Sequence, residues 1–216
     1  PLNRDVIFMA TADEEAGGFF GAGWLVENRS EIFEGVGFLL NEGGGGAVVE
    51  GKVQFGIEVT QKVPYWVRLT ATGEPGHGSR PLVSYASLEL IEALDRFGRH
   101  EFAARVIPAV DRHFKGMAER HPEPWRSRFQ DLAAAIREPG VLRELQVYAP
   151  GLHTLVRNTC SITRFGGSEK INVVSPEVWA EIDCRLLPDQ DPDAWLAEVQ
   201  AVLGPEIEMD VMMGFT

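Results

Sequence analysis

Three acidic residues in a row close an apolar run near the start of the chain. Val6-Ile7-Phe8-Met9-Ala10 leads through Thr11-Ala12 into Asp13-Glu14-Glu15, and Ala16-Gly17-Gly18 follows. Carboxylates this close repel one another unless a cation lies between them. A divalent metal suits the pattern: one carboxylate coordinates the ion while its neighbour takes a proton from metal-bound water. A solvated acidic turn, stabilised by the dipole of the next helix, accounts for the same residues. Glu42 ends a second apolar run, Val36 to Leu40, and two such runs side by side in a sheet would bring it to the same edge, which favours the metal. The four glycines from Gly43 to Gly46 lack the Lys-Ser/Thr that a phosphate cradle needs and read as a flexible loop. His77 lies in Thr72-Gly73-Glu74-Pro75-Gly76-His77-Gly78-Ser79-Arg80-Pro81. Its glycine neighbours bury little, so it is either a loop donor to an oxyanion or carboxylate, or a turn histidine without a role. His100, His113, His121 and His153 fall in a helical stretch or its exit and are assigned no chemistry.

The elements that must carry these residues change character along the chain. The first third reads as strand, helix, strand: Val6 to Thr11, Gly21 to Asn28 and Val36 to Leu40, the rhythm of an α/β sheet buried on both faces. From Tyr65 the pattern becomes half-buried alternation, with Val67, Leu69 and Ala71 set against Arg68, Thr70 and Thr72. A helix over Ser84 to Phe97 carries Tyr85, Leu88, Ile91 and Leu94 as its apolar stripe, and residues 98–157 are mostly helical. Strands follow at Thr159 to Phe165 and Val178 to Leu186, then a helix from Asp191 with Trp195, Leu196, Val199 and Leu203 inward, then a strand at Glu208 to Met213. With the helical stretch set aside, the order is β-α-β-β-α-β, that of a ferredoxin-like sandwich. The fold class expected is therefore part of an α/β domain, residues 1–64, followed by an α+β domain, residues 65–216, with a helical insertion over about 98–157.

The chain has 216 residues, enough for one or two domains, and a formal net charge of −12. That surface repels phosphate backbones and anionic lipid, which argues against nucleic-acid and membrane partners. No apolar run approaches the ~20 residues of a membrane helix and no signal-peptide pattern opens the chain, so cytoplasmic residence is expected. Cys160 and Cys184 are too few for a disulfide scaffold and lack zinc-knuckle spacing; they read as a pair of buried thiols, with a bridge or a reactive site as the alternative. The strand-like segments at both ends read as cut edges of a larger sheet.

Taken together these residues resemble the co-catalytic zinc metallopeptidases of the aminoacylase, carboxypeptidase and desuccinylase type, peptidase family M20. The resemblance rests on five segments in family order: Thr11-Ala12-Asp13-Glu14-Glu15 with Gly17-Gly18; Asn41-Glu42; Gly76-His77-Gly78-Ser79; Ile171-Asn172-Val173-Val174-Ser175-Pro176; and Asp183-Cys184-Arg185-Leu186-Leu187-Pro188. The insertion, with Arg157-Asn158-Thr159 and the stretch from Gly167 to Asn172, is most similar to the carboxypeptidase S and dipeptidase branch. The resemblance implies that Glu14 is the general base, that Glu15 and Glu42 are ligands of a two-zinc centre, and that the α+β domain is a lid through which the protein forms a homodimer. It implies that His77 polarises the scissile carbonyl in the partner subunit's site, and that Asn172 and Arg185 hold the substrate carboxylate. The substrate implied is a small molecule, a dipeptide or N-acyl amino acid. The family's His-x-Asp motif, bridging aspartate and C-terminal ligand histidine are absent, since no histidine precedes His77 and none follows His153. The expectation is a fragment of a hydrolase that binds zinc weakly and is inactive alone; the competing expectation is a dimerisation or interaction module without chemistry.

Overall fold

The computed structural model describes residues 2–49, 51–80 and 82–214. The chain divides into two compact units, Pro1–Ile57 and Glu58–Thr216.

In the first unit the helix stands and the strands do not. Helix α1 (Ala22–Asn28) forms between two 3-10 turns, Glu14–Ala16 and Ser30–Phe33. The apolar runs expected as strands, Val6 to Thr11 and Val36 to Leu40, carry no ladder. Phe8 is 90% and Leu40 100% exposed. A strand is stable only where a neighbour accepts and donates its backbone hydrogen bonds. Among the described residues no neighbour does so for these runs. The glycines expected as a flexible loop are partly ordered instead: β1 (Gly45–Val49) and β2 (Lys52–Gly56) pair antiparallel, with Gly45 opposite Gly56.

The second unit begins with β3 (Val63–Thr72), the short β4 (Gly76–His77) and α2 (Ala86–Arg99). The insertion follows as α3 (Pro108–Met117), α4 (Trp125–Gln130), α5 (Leu132–Ala135), α6 (Val141–Tyr148) and α7 (Pro150–His153). The chain then returns through β5 (Thr159–Gly166), the short β6 (Val173–Val174), β7 (Glu177–Leu186), α8 (Pro192–Leu203) and β8 (Ile207–Gly214). The long strands form a four-stranded antiparallel sheet in the order β5-β7-β3-β8. Alternation fixes its faces: Tyr65, Val67, Leu69 and Ala71 of β3 and Val178, Ala180, Ile182, Cys184 and Leu186 of β7 are buried with residues of α2 and α8. Helix α8 starts as its sequence dictates, with Pro192 in the first turn and the Asp191 carboxylate accepting from the Asp193 N–H at 2.9 Å.

On α2 the buried stripe is Ala86, Leu90, Ala93, Leu94 and Phe97, while Ile91, expected inward, is 63% exposed. Two alanines without bulk face the sheet. The insertion has its own core, built on Phe114, Trp125, Phe129, Leu132, Val141 and Leu145, and packs as a separate helical cluster. Cys160 and Cys184 are not a pair of thiols: they stand opposite each other in the β5–β7 register and are joined by a disulfide.

The other face of the sheet carries charge. Glu181 is 6% exposed and bonds the Arg68 guanidinium at 2.5 Å and that of Arg164 at 2.7 Å. Both guanidinia lie over the Trp179 ring, at 4.6 and 5.5 Å from its centroid. The Arg68 hydrogen bond, aided by Arg164 and opposed by burial, holds the Glu181 carboxyl below its ordinary value of 4.5. Because the folded-state value is the lower one, this contribution is complete above pH 4.5 and is lost as pH falls through the folded value. Glu181→Gln is therefore expected to flatten part of the loss of stability below that pH, as read from denaturation midpoints along a pH series. An acid slope equal to that of the unsubstituted protein would contradict the assignment. Asp189 and Asp95, held low by Arg105 and Arg99, supply slope that the substitution leaves in place.

Candidate functional site

The acidic turn is built around Asp13. This residue takes a left-handed backbone, φ 69°, and its carbonyl accepts from the Ala16 N–H at 3.2 Å and the Gly18 N–H at 2.6 Å. Its carboxylate accepts from the Phe20 N–H at 3.1 Å. A non-glycine residue in this region is uncommon, and such strain concentrates at functional turns. The chain also passes so close to itself that a Cβ on Gly21 would lie 2.0 Å from the Ala12 carbonyl oxygen. With Asp13 spent on the turn, Glu14 and Glu15 project from the 3-10 turn as exposed carboxylates. Glu42 is likewise exposed, just before the β1–β2 hairpin. Among the described residues no three His, Cys, Asp or Glu side chains gather where they could hold a metal ion. Glu15 and Glu42 alone do not fit zinc, which favours four ligands that usually include His or Cys.

His77 and Asn172 are brought together. Strand β4 pairs antiparallel with β6, setting His77 opposite Val173, and the Gly78 N–H donates to the Asn172 carbonyl at 2.9 Å. The Ser79 N–H donates to His77 Nδ1 at 3.2 Å, with the Ser79 Oγ 2.8 Å from the same nitrogen. A ring nitrogen that accepts an N–H leaves the neutral imidazole's own proton on Nε2. The exposed His77 therefore presents an Nε2–H donor from a loop fixed by backbone hydrogen bonds on either side of it.

Arg185 is not near that pair. It lies at the other end of β7, opposite Pro64 and Thr159, eight residues on from Glu177. At ~3.3 Å per residue this is about 26 Å of strand. Its Nε donates to Asp183 Oδ1 at 2.9 Å and its Nη2 to Oδ2 at 3.2 Å, while Trp66 Nε1 donates to the same Oδ1 at 3.1 Å. The arginine is engaged as a surface ion pair on the open sheet face.

Of the histidines assigned no chemistry, His100 bonds Glu198 at 2.8 Å and His121 bonds the Tyr148 hydroxyl at 2.9 Å. His153 differs: it is 5% exposed, and its Nε2 has no hydrogen-bond partner among the described residues. It lies beside Arg157 and Lys62, whose positive charges add to burial in holding its pKa below 6.5, against a smaller upward effect from Glu101. Nothing in the sequence marks these three as neighbours, because they come from the lead into β3, from α7 and from the approach to β5.

A family model described as the peptidase dimerisation domain matches residues 59–210. The pig (Sus scrofa) aminoacylase-1 is 26% identical over 198 residues, which is 92% of this chain and 38% of that protein. Aminoacylase-1B of Rattus norvegicus is 35% identical over the same shares of the two chains. The N-fatty-acyl-amino acid synthase/hydrolase PM20D1 of Xenopus tropicalis is 27% identical over 223 residues, 94% of this chain and 40% of that one. The chain thus spans about two fifths of the length of these relatives. The match covers the sheet up to the first half of β8, both of its helices, the insertion and the His77–Asn172 ladder, and the chain belongs to the M20 peptidases through their dimerisation domain.

Proposed function

We propose that this chain is the central part of a metal-dependent hydrolase that cleaves an amide bond beside a free carboxylate, in an N-acyl amino acid or a dipeptide. The observation that carries the reading is the β4–β6 ladder, which fixes an exposed His77 Nε2–H donor beside Asn172 within a peptidase dimerisation domain. The aminoacylase and N-acyl-amino acid hydrolase relatives support the choice of bond. In this reading residues 1–64 belong to the catalytic domain, and residues 65–216 form a ferredoxin-like lid through which two copies associate.

Each residue then has a defined task. Glu14, exposed on its turn, takes a proton from the attacking water and passes it to the leaving amine. His77 donates its Nε2–H to the oxygen on which negative charge develops. Asn172 and Arg185 hold the substrate carboxylate from opposite ends of the lid sheet. Because about 26 Å of β7 separates Arg185 from Glu177, at the strand end that Asn172 leads into, the two are not expected to grip one small carboxylate from the same chain. A two-fold dimer resolves this, with Arg185 of one copy and His77 and Asn172 of the other converging on each site. Zinc is part of the proposal only for the complete protein, where Glu15 and Glu42 would give it two carboxylates and residues outside this chain would complete its ligand set.

Among the described residues no helix is long and apolar enough to cross a membrane.

The test is turnover of N-acetyl amino acids and dipeptides by the full-length protein, before and after chelation and with zinc restored. Chelation is expected to abolish turnover and zinc to recover it. Methyl-esterifying the substrate carboxylate is expected to lower kcat/KM about 10- to 100-fold, the worth of one hydrogen bond to a charged group. Equal turnover of the ester, or indifference to chelation, would sink the reading.

A further inference from the structure

At the end of the sheet where β3 and β5 begin, Lys62 and Arg157 lie well covered without an acid partner among the described residues. Arg68, Arg99, Arg105, Arg128, Arg164 and Arg185 each hold a carboxylate at 2.9 Å or less. Arg157 is 8% exposed and its guanidinium makes no hydrogen bond or ion pair among the described residues. Five N–H donors on a side chain more than nine-tenths buried are ordinarily satisfied. Among the described residues the fully enclosed side-chain atoms without a partner are His153 Nε2 and Trp195 Nε1, so the Arg157 nitrogens keep contact with solvent.

Lys62 Nζ reaches the same place. It donates to the Arg157 carbonyl at 2.9 Å and to Thr159 Oγ1 at 2.8 Å, two neutral oxygens, which leaves one N–H uncommitted. Burial, together with the positive charges of Arg185 and Arg157, pushes the Lys62 ammonium down to about 8. Asp183 is already paired with Arg185, Asp189 is taken by Arg105, and Glu101 acts on His153. Lys62 and Arg157 thus carry a local surplus of positive charge in a protein whose net charge is −12. Such a surplus, half-buried, is unfavourable unless an anion completes it.

We propose that Lys62 and Arg157, with the unpartnered Nε2 of His153 behind them, form a binding site for a small carboxylate anion. A negative charge offsets the surplus, and a guanidinium with all its donors free offers a carboxylate a bidentate grip. The site does not depend on the catalytic assignments. Arg185 enters only as a neighbour, paired with Asp183 through Nε and Nη2. The carboxylate belongs either to a free small molecule or to a side chain or terminus of a second copy.

The experiment titrates the purified protein with sodium acetate at constant ionic strength, sodium chloride making up the difference, and follows the His153 ring resonances by NMR. The thermal midpoint and the sedimentation profile are recorded alongside. A free anion predicts a saturable His153 shift and a rise in midpoint, with the association state unchanged. A carboxylate from a second copy predicts that acetate competes, so the protein dissociates as the His153 shift saturates. Either result supports the site if it is lost in Lys62→Gln and retained in Lys62→Arg; Lys62 is half-buried, so neither change empties a core position. Arg157→Gln is expected to remove the response as well, but Lys62 carries the test should that variant not fold. No saturable shift beyond the chloride control, the same shift in Lys62→Gln, or tighter binding of inorganic phosphate than of acetate would overturn the proposal.

Discussion

Glu14→Gln in the full-length protein is expected to lower kcat by about 10²- to 10⁴-fold while leaving KM little changed, the signature of a lost general base. Glu14 projects from a turn whose shape is set by Asp13 and by Gly21 packed on Ala12, so the substitution leaves those contacts in place. His77→Ala is expected to cost about 10²- to 10³-fold, the worth of one oxyanion donor. If His77 serves the partner's site, the two variants rescue each other. Co-expressed in equal amounts, half of the dimers are mixed, and each mixed dimer holds one site with both residues intact. Activity should then recover to about a quarter of the unsubstituted level. Unchanged turnover in Glu14→Gln removes it as the base; absence of recovery in the mixture places His77 in its own chain's site.

Much of the second unit is legible in the sequence because its elements satisfy themselves. The two long strands β3 and β7 alternate cleanly, and each has neighbours within the chain to pair with. Helix α8 announces its start with Asp191 and Pro192. Helix α2 misleads through residue size: Leu88 and Ile91 make the more apolar stripe, yet Ala86 and Ala93 face the sheet because small side chains let the helix approach it. In the first unit the mismatch runs deeper. Apolar composition over Val6 to Ala10 signals burial, but a strand is made by its ladder, and none of the described residues supplies one there. The β1–β2 hairpin hides behind its glycines, which suggest a loop, although a positive φ at Gly51, 76°, suits the turn that joins its strands.

The site is legible as residue types and not as geometry. His77 and Asn172 are far apart in sequence, and only the β4–β6 register shows them adjacent. The same holds for Cys160 and Cys184, which sit opposite each other across β5 and β7 with a sequence separation of 24. Alternation puts Arg185 on the polar face, but its bonds to Asp183 and its distance along β7 from the His77 end are tertiary facts. Lys62, Arg157 and His153 leave no trace in spacing, since what marks them is tertiary: Lys62 bonded only to neutral oxygens, Arg157 buried without an acid, and His153 Nε2 unpaired among the described residues.

Trp195→Ala is expected to destabilise the second unit by about 3–5 kcal/mol, the cost of emptying a large aromatic site in a close-packed core. Trp195 is 0% exposed at the centre of the cluster that joins the sheet to α2 and α8. Tyr65 meets it edge-on with ring centroids 5.2 Å apart, and Phe102 stands at 6.3 Å. The side chain thus ties three segments together: the first long strand, its own helix α8 and the residues that lead into the insertion. Its indole N–H, however, has no acceptor among the described residues, and an enclosed unpaired donor costs about 1–3 kcal/mol. Trp195→Phe deletes that donor together with part of the volume, so the two effects oppose and the net loss should be well under half that of the alanine variant. Urea unfolding of the three proteins decides the matter. A ranking of unsubstituted, then Phe, then Ala with the larger step at the end supports packing as the main contribution. Near-equal losses for Phe and Ala would mean that the indole nitrogen is bonded after all, and that α8 is held by that bond more than by the volume it fills.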